Sequence, residues 1–315
     1  MYILTDSIDF ARKYYPELIF NKISNRDVFQ SIKPLADKIF NSDSLMLAVK
    51  DAEKFWNYAL LSEKSEHSQY DILVEQSGSA LILTSNIICI SGESKALHGF
   101  RSRHWVGLPG NIHLSVYLKP NVEIENFAAG FIMLAALAAF KSINDIKSLR
   151  EKPSIKWVND VMIGDSKVCG VLANTQIMGN VVSGAVLGIG INVESSPQPE
   201  PTKFVPKAAC INGFLNYSEK VTQGEIFQKL IRNIQFFYSE LVRGDYQGLL
   251  NIYRINSLAI GRKVRIWSDP IGEAPMIIRE GEVIKIGEML ELYLSNKELP
   301  ITSGRLEIIT QYQNR

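Results

Sequence analysis

The segment "SIKWVNDVMIGDSKVCGV" at 154–171 constrains the fold most, because it places charged groups in strand-like sequence. The Gly-Asp pair at 164–165 predicts a hairpin turn between two strands. Since a buried ammonium is costly without a nearby anion, we expect Lys156, Lys167 and Asp160 to face a cleft. If one strand runs through 154–164, positions 156, 158 and 160 share a face. A surface hairpin with solvated charges is, from spacing alone, an equally good interpretation.

A cleft of this kind has a definite chemistry. Two lysines suit a phosphate, and a carboxylate beside them suits a magnesium-bound nucleotide, because Mg²⁺ takes oxygen ligands and shares phosphates with cations. The hairpin predicts that Lys167 returns to the neighbourhood of Asp160, with Asn159 and Lys156 close by. These residues therefore predict a site for ATP and Mg²⁺.

Composition argues against several other classes of function. The chain has 315 residues and a net charge of +1, which gives no global electrostatic reason to expect nucleic acid as a partner. Its three cysteines, Cys89, Cys169 and Cys210, lie far apart, so neither a zinc site nor disulfides are predicted and a reducing cytoplasm fits. The N-terminus is too acidic for a signal peptide. The apolar run at 127–140 is shorter than the ~20 residues that span a bilayer, so we predict a buried helix and no membrane.

The spacing of apolar residues divides the chain into helix-like and strand-like segments. Helical spacing is found at 9–18, 26–65, 123–143 and 223–255. Strand-length runs are "YDILV", "ALILT", "NIICIS", "NIHLSVYL", the segments between 154 and 193, the stretch near 208, and four runs after 258. The segment "SSPQPEPTKFVP" at 195–206 reads as a Pro-rich surface loop. The length and the final run of short strands predict a second, small β-barrel-like domain.

Two further patterns are candidates for binding. The loop "LHGFRSRHW" at 97–105 offers arginines that can grip a phosphate or carboxylate and an indole that can stack on a purine. A solvated basic loop is the more common interpretation of such a segment. In "GIGINV" at 188–193, the glycines allow a ligand to approach the backbone closely. The third glycine and following helix of a dinucleotide fingerprint are missing, so that interpretation is rejected.

Taken in order, these segments resemble the catalytic domain of biotin protein ligases. The stretch "KWVNDVMIGDSKVCGVL" is similar to the family's Lys-Trp-Pro-Asn-Asp followed by Lys-x-x-Gly-[Ile/Val]-Leu, and "GIGINV" is similar to its Gly-x-Gly-x-Asn strand. The segment "RHWVGLPGNIHLS" resembles the sequence that follows the family's arginine loop. The strands after 258 resemble its SH3-like domain. The resemblance covers about residues 75–310.

The resemblance implies a fold, a reaction and a partner. The expected fold is α+β: a class II synthetase-like catalytic domain at 1–255, with a mixed or antiparallel central sheet flanked by helices, a helical insertion or extension at 20–70, and an SH3-like domain at 258–315. The expected reaction activates biotin with ATP to biotinyl-5′-AMP and transfers biotin to a lysine of a carboxylase's biotin carboxyl carrier domain. An exposed sheet edge would suit a homodimer or the carrier, and the sequence does not choose between them.

The resemblance also assigns roles to residues. Lys167 is expected to be catalytic, stabilising charge on the biotin carboxylate and α-phosphate, and Asp160 is the expected metal ligand. The residues expected to contact biotin are Gly99, Arg101, Lys167, Gly170 and Val171. Those expected to contact ATP are Arg101, Arg103, Trp105, Lys156, Asn159, Asp160 and Asn192.

The sequence departs from the family pattern at several positions. Phe100 stands where an adenylate-holding arginine is expected, Leu97 and Ser102 replace glycines, and Val158 replaces the proline. The segment "TDSIDFA" at 5–11 weakly resembles the family's Asp-Ser-Thr-Asn segment, which lines the biotin pocket. No winged helix-turn-helix is evident, so a repressor function is not expected. A lipoate or octanoate ligase, or a non-catalytic relative that binds biotin, adenylate or carrier, remain the alternatives.

Overall fold

Two β-sheets organise the chain, and helices cover the larger one. The computed structural model describes residues 1–78, 83, 85–94, 96–270, 274–295 and 299–309. Within these residues, a mixed sheet of eleven strands and an antiparallel sheet of four strands are present. The predicted α+β class with a large mixed sheet flanked by helices is confirmed.

The larger sheet draws strands from the first two thirds of the chain. They are β1 (Tyr2–Thr5), β2 (Asn21–Ser24), β3 (Ser44–Val49), β4 (Tyr58–Ser65), β5 (Ile87–Ser94), β6 (Ile112–Leu118), β7 (Pro153–Lys156), β8 (Asp160–Ile163), β9 (Ser166–Met178), β10 (Val181–Ile191) and β11 (Lys207–Ala208). The order is β2-β3-β1-β4-β5-β6-β10-β9-β8-β7, with β11 beside β9. β4 runs parallel to β1 and β5, β11 runs parallel to β9, and the other neighbours are antiparallel.

Helices pack on both faces of this sheet. They are α1 (Ile8–Arg12), α2 (Lys33–Ile39), α3 (Gln69–Ser77), α4 (Phe127–Asn144), α5 (Gln223–Val242) and α6 (Tyr246–Ile255). α4 packs on β9 and β10 and beneath α5 and α6, forming the larger apolar core. α2 and α3 contribute to a second core on the opposite face. By length and composition α4 is apolar enough to cross a membrane, yet 72% of it is buried inside the fold, as expected for the predicted core helix.

The smaller sheet follows α6. Its strands are β12 (Lys263–Trp267), β13 (Ile277–Ile286), β14 (Leu292–Leu294) and β15 (Arg305–Ile308), in the order β14-β13-β12-β15. All neighbouring strands are antiparallel. The run of short strands predicted after 258 is therefore confirmed.

The N-terminal prediction is wrong in secondary structure. Residues 26–65 contain one α-helix, α2, and the strands β3 and β4. The wider segment 20–70, expected to be helical, adds β2 and the first two residues of α3. β4 lies between β1 and β5, and its first half is buried. Because an interior strand is covered on both faces, its apolar run is continuous and imitates a buried helix. Likewise, the helix predicted at 9–18 ends at Arg12.

Two strands are predicted before β5, at 70–74 and at 80–84. Residues 70–74 belong to α3, whose start is capped by Ser68, because the Ser68 side chain accepts a hydrogen bond from the Asp71 amide. A serine with an acidic residue three positions later is a helix-start signal that outweighs the short apolar run. The strand predicted at 80–84 lies outside the described residues except for Leu83.

The segment 154–164 is two strands rather than one. β7 and β8 are antiparallel, and Lys156 pairs directly with Asp160 across a turn at 157–159, in which the Trp157–Val158 peptide is cis. The prediction of one strand with positions 156, 158 and 160 on one face is therefore wrong as to the strand, although Lys156 and Asp160 share a face as cross-strand partners. The chain reverses because Asn159 is held by the next strand: its backbone carbonyl accepts from the Val171 amide at 3.0 Å, and its side chain donates to the Val171 carbonyl at 2.7 Å. The turn predicted at 164–165 is confirmed.

Candidate active site

A cavity of about 900 Å³ opens over the middle of the larger sheet. Residues of the smaller sheet close one side, including Arg305 of β15 and Leu290 of the loop between β13 and β14. Every site residue predicted from the sequence lines this cavity: Gly99, Arg101, Arg103, Trp105, Lys156, Asn159, Asp160, Lys167, Gly170, Val171 and Asn192. Residues more than 90 positions apart in the sequence are thus brought to one place by the sheet.

Strand register aligns the cavity floor. Six cavity-lining positions are successive cross-strand partners on neighbouring strands from β7 to β5: Lys156, Asp160, Gly170, Gly190, His113 and Ser91. Partners in register share one face of a sheet. At about 4.8 Å between strands, this row extends over roughly 24 Å. One end of the row carries opposite charges, the middle carries no side chains, and the other end is polar and uncharged.

The glycines in this region leave room for two aromatic rings. A Cβ atom at Gly190 would lie 2.5 Å from the Trp105 ring, and one at Gly188 would lie 2.9 Å from the Tyr70 ring. A Cβ at Gly170 would lie 3.1 Å from the Lys167 ammonium and 3.2 Å from Trp105. Side-chain atoms therefore occupy the space that a Cβ would need at each position. The glycines seat Trp105, Tyr70 and Lys167 directly on the sheet.

Lys167 and Asp160 form the central ion pair of the site. The Lys167 Nζ lies 2.6 Å from Asp160 Oδ1, and the two side chains are only 21% and 15% exposed. The same ammonium lies 5.6 Å from the centre of the Trp105 ring, within the range of a cation–π interaction. The predicted return of Lys167 to Asp160 is present in the structure.

Lys156 is buried more deeply than the sequence suggested. It is 6% exposed, and its ammonium donates a hydrogen bond to the carbonyl of Phe204. Burial lowers the pKa of Lys156 to about 8, with nearby Asp160 opposing the shift and Lys167 adding to it. Phe204 lies in the Pro-rich segment 195–206, which is the predicted surface loop and is mostly exposed. Its residues Pro197, Phe204 and Val205 also line the cavity.

Asn192 has a structural setting as well as a place in the cavity. It is 1% exposed, its amide nitrogen donates to the Ala209 carbonyl at 3.2 Å, and its Oδ1 accepts from Asn111 at 3.4 Å. Asn111 in turn accepts hydrogen bonds from three successive backbone amides, at 193–195. Asn192 therefore fixes the end of β10 while presenting a polar edge to the cavity.

The arginine loop is held by the smaller sheet. Arg101 and Arg103 both reach Asp269, which follows β12: Arg103 forms an ion pair with its carboxylate, and Arg101 donates to its carbonyl. Asp269 is only 12% exposed. Arg101 adopts a left-handed conformation with φ of 54°, uncommon for a residue other than glycine. Phe100 lies beneath both guanidinium groups, at 5.7 and 5.9 Å.

The sequence reasoning missed residues that α3 and β6 contribute. Gln69, Tyr70 and His113 line the cavity. His113 is buried, which lowers its pKa to about 4, and its Nδ1 accepts from the Trp105 indole at 3.3 Å. The capping signal at Ser68 would have located the start of α3. Residues 5–11 are not among the residues that line this cavity.

Part of the chain matches the model of a known protein family. Residues 79–192 match the family model of the biotin/lipoate A/B protein ligase family. The matched range begins before β5 and ends with Asn192, so it contains all eleven site residues predicted from the sequence, and it excludes α3 and the smaller sheet.

Individual relatives agree with this description. The chain is 24% identical over 202 residues to the bifunctional ligase/repressor BirA of Bacillus subtilis, covering 62% of this chain and 61% of that protein. It is 32% identical over 121 residues to the biotin--[acetyl-CoA-carboxylase] ligase of Paracoccus denitrificans, covering 38% and 47%. The chain thus spans between about half and two thirds of the length of these relatives.

The fold itself is shared with a solved structure. The biotin protein ligase from Aquifex aeolicus in complex with biotin and ATP superposes with a TM-score of 0.59, at 18% identity, over 80% of this chain and 98% of that chain. At this identity the likeness concerns the fold.

The contact between Trp105 and Gly190 predicts the effect of a methyl group added at position 190. Gly190→Ala should lower the free energy of unfolding by about 1–3 kcal/mol, because the new Cβ overlaps the indole and overpacking has this typical cost. Gly213→Ala is the matched control, since its Cβ would meet only the Cys210 sulfur, at 3.8 Å. Urea unfolding of both variants measures the difference. Equal stabilities would show that Trp105 does not rest on Gly190.

The contact between Asp269 and the loop predicts a change in local order. Asp269→Asn should expose Arg101 and Arg103 to trypsin and accelerate cleavage at the loop several-fold, because their carboxylate partner is lost. Asp165→Asn removes a carboxylate that pairs with Lys207 at 3.5 Å and accepts from the Ser166 hydroxyl at 3.1 Å, neither of which is in the loop, and should leave the cleavage rate unchanged. Limited proteolysis followed by mass spectrometry gives both rates; an unaltered loop rate in Asp269→Asn would contradict this role.

Proposed function

We propose that this chain belongs to the biotin protein ligase family and is an ATP-dependent biotin protein ligase. It activates biotin to biotinyl-5′-AMP and transfers biotin to a lysine of a carrier protein. The carrier we propose is the biotin carboxyl carrier domain of a carboxylase. Support comes from relatives named biotin--[acetyl-CoA-carboxylase] ligase and from the structural neighbour that holds biotin and ATP.

The observation that carries the proposal is the position of Lys167. Its ammonium lies over Gly170, pairs with Asp160 and faces the Trp105 ring in a cavity lined by further cations. A cation held in a partly water-excluded cleft can stabilise charge that develops during acyl adenylation. A purely binding protein would have less use for a lysine held against a carboxylate at the centre of the cavity.

In the first step, a carboxylate oxygen of biotin attacks the α-phosphorus of ATP. A new P–O bond forms, the bond to the β-phosphate oxygen breaks, and pyrophosphate leaves with that electron pair. Lys167 is proposed to hold the biotin carboxylate and an α-phosphate oxygen together, so that the negative charge is neutralised as the bond forms. Lys156, Arg101 and Arg103 supply further positive charge for the phosphates.

In the second step, the ε-amine of the carrier lysine attacks the acyl carbon of biotinyl-5′-AMP. The C–N bond forms, the bond between the acyl carbon and the phosphate oxygen breaks, and AMP leaves with that electron pair while the amine loses a proton. The mixed anhydride must be shielded from water until the carrier arrives. The arginine loop and the Pro-rich segment, which both line the cavity, are in position to provide this shielding.

The remaining predicted residues have proposed places in the same cavity. Gly99, Gly170 and Val171 would border the biotin, and Trp105 and Asn192 would border the adenosine. The four-stranded sheet is proposed to be the SH3-like domain of 258–315, beside a catalytic domain of 1–255; the last six residues lie outside the described part of the chain.

Magnesium fits the donor set as a partner of the nucleotide. Among the described residues, no group of three or more His, Cys, Asp or Glu side chains could hold a metal alone. Mg²⁺ commonly takes only one or two protein carboxylates and completes its shell with phosphates and water. Asp160, supported by Asn159, would hold it, and the ion would neutralise phosphate charge.

The central test is the loss of Lys167. Lys167→Ala should reduce biotin-dependent pyrophosphate release from ATP and Mg²⁺ by at least about 100-fold, as expected when a preorganised charge-stabilising group is removed. Lys207→Ala is the control, because Lys207 lies on the adjacent β11 yet is 67% exposed and pairs with Asp165.

The acids supplied separately in this assay decide between the alternatives. Release with biotin that disappears in Lys167→Ala supports the proposal. Release with octanoate or lipoate instead of biotin would identify the related ligase. No release with any acid would leave the non-catalytic relative as the better description.

Burial of Lys156 predicts a pH dependence. Because its pKa is lowered to about 8, the free enzyme should lose this positive charge as the pH rises, and kcat/KM for ATP should fall above about pH 8. The charged groups acting on Lys156 are Asp160, Lys167, Arg305 and Glu307. Lys156→Arg keeps a cation at all these pH values and should flatten the alkaline limb. An unchanged limb in that variant would assign the pH dependence elsewhere.

A further inference from the structure

Gln69 is a buried polar residue of the cavity that the mechanism above does not use. It is the first residue of α3, is 1% exposed and lines the cavity. Its amide nitrogen donates a hydrogen bond to the carbonyl of Ile90 on β5, at 3.2 Å. Its amide oxygen, Oε1, has no hydrogen-bond partner among the described residues.

The orientation of this amide is fixed by its contact with β5. A backbone carbonyl accepts only from the NH₂ end of a glutamine side chain, so the nitrogen must face Ile90 and the oxygen must be the end without a partner. A buried acceptor in this state is costly and uncommon in folded proteins. Among the described cavity-lining residues, Arg305 is the one other with such an atom, and it is a donor. Within this described part of the cavity lining, Gln69 is therefore the residue whose buried acceptor still lacks a donor.

The surroundings of Gln69 show which part of a ligand would reach it. Ile90 immediately precedes Ser91, the last position of the row that begins at Lys156. Three strand spacings, roughly 14 Å, separate Ser91 from Gly170, where the Lys167 ammonium lies. An acid whose carboxylate meets Lys167 would thus extend its far end over the glycines toward Gln69.

The chemistry at that end is polar and uncharged. Ser91 and Ser115 line it, both buried, and His113 is neutral at pH 7 because of its lowered pKa. The Ser91 hydroxyl donates to the Glu93 carbonyl, and both ring nitrogens of His113 have partners, so the Gln69 oxygen is the group that a hydrocarbon tail would leave unsatisfied. A neutral head group that carries an N–H donor would satisfy it.

We propose that Gln69 is a specificity-determining residue, whose Oε1 accepts a hydrogen bond from a ureido N–H of biotin. This inference rests on the proposed function and names how the same site selects its acid. Biotin has two N–H donors in its ring, whereas the dithiolane of lipoate and the methyl end of octanoate have none. A site built around a buried acceptor discriminates against analogues that lack the donor. Selection among acids thus takes place far from the reacting carboxylate.

The test compares acids in the intact protein. Gln69→Leu keeps a similar volume and removes the acceptor, so KM for biotin in pyrophosphate release should rise about 10- to 100-fold, the equivalent of one buried unsatisfied group. The inhibition constant of octanoate as a competitor of biotin should stay the same or fall. Gln76→Leu removes another buried glutamine of α3 that does not line the cavity, and its ratio of these two constants should match that of the wild type.

The outcomes separate this inference from the proposed function. An equal loss for biotin and octanoate in Gln69→Leu would assign Gln69 a structural role and overturn the inference, as would an unchanged KM for biotin. Absence of biotin-dependent release in the wild type would overturn the proposed function itself. Should Gln69→Leu not fold, calorimetry of the wild type with biotin methylated at both ureido nitrogens replaces it: at least tenfold weaker binding than biotin is expected, and equal binding would overturn the inference.

Discussion

Three positions without side chains, Gly170, Gly188 and Gly190, are the constraint on which the rest of the site depends. Aromatic rings from two distant segments lie where Cβ atoms would otherwise be. Since Trp105 rests on Gly190, its indole reaches His113 on one side and the Lys167 ammonium on the other. The floor therefore positions both a stacking surface and a cation.

The charged end of the floor shows why so much charge is tolerated within a sheet. The short turn after β7 sets Lys156 opposite Asp160, and β9 returns Lys167 to the same carboxylate. One carboxylate between two ammonium groups leaves an excess of positive charge in a poorly solvated place. Burial lowers the pKa of Lys156, which means that Lys156 binds its proton more weakly than a solvated lysine does. An anionic ligand would remove the imbalance, which ties the electrostatics of the fold to its proposed substrates.

Sequence reasoning succeeded where the site is local and failed where it depends on neighbours. Asp160, Lys167 and Gly170 lie within one hairpin, so spacing and turn residues were enough to place them together. The burial of β4 between two strands is invisible in its own sequence, and its apolar run was therefore mistaken for a helix. Gln69 was missed for a similar reason: its place over β5 depends on the packing of α3. The glycine pattern of β10 was noticed, but the rings that occupy it come from elsewhere in the chain.

The arginine loop shows how a departure from the family pattern is accommodated. Phe100 stands where the resemblance led us to expect an arginine, and it supports the two arginines that follow. Those guanidinium groups are drawn to Asp269 at the edge of the smaller sheet. Any anion that takes Arg101 and Arg103 must compete with that carboxylate. Anion binding at the loop and the contact of the loop with Asp269 are therefore thermodynamically linked, because an anion that binds these arginines must displace the carboxylate.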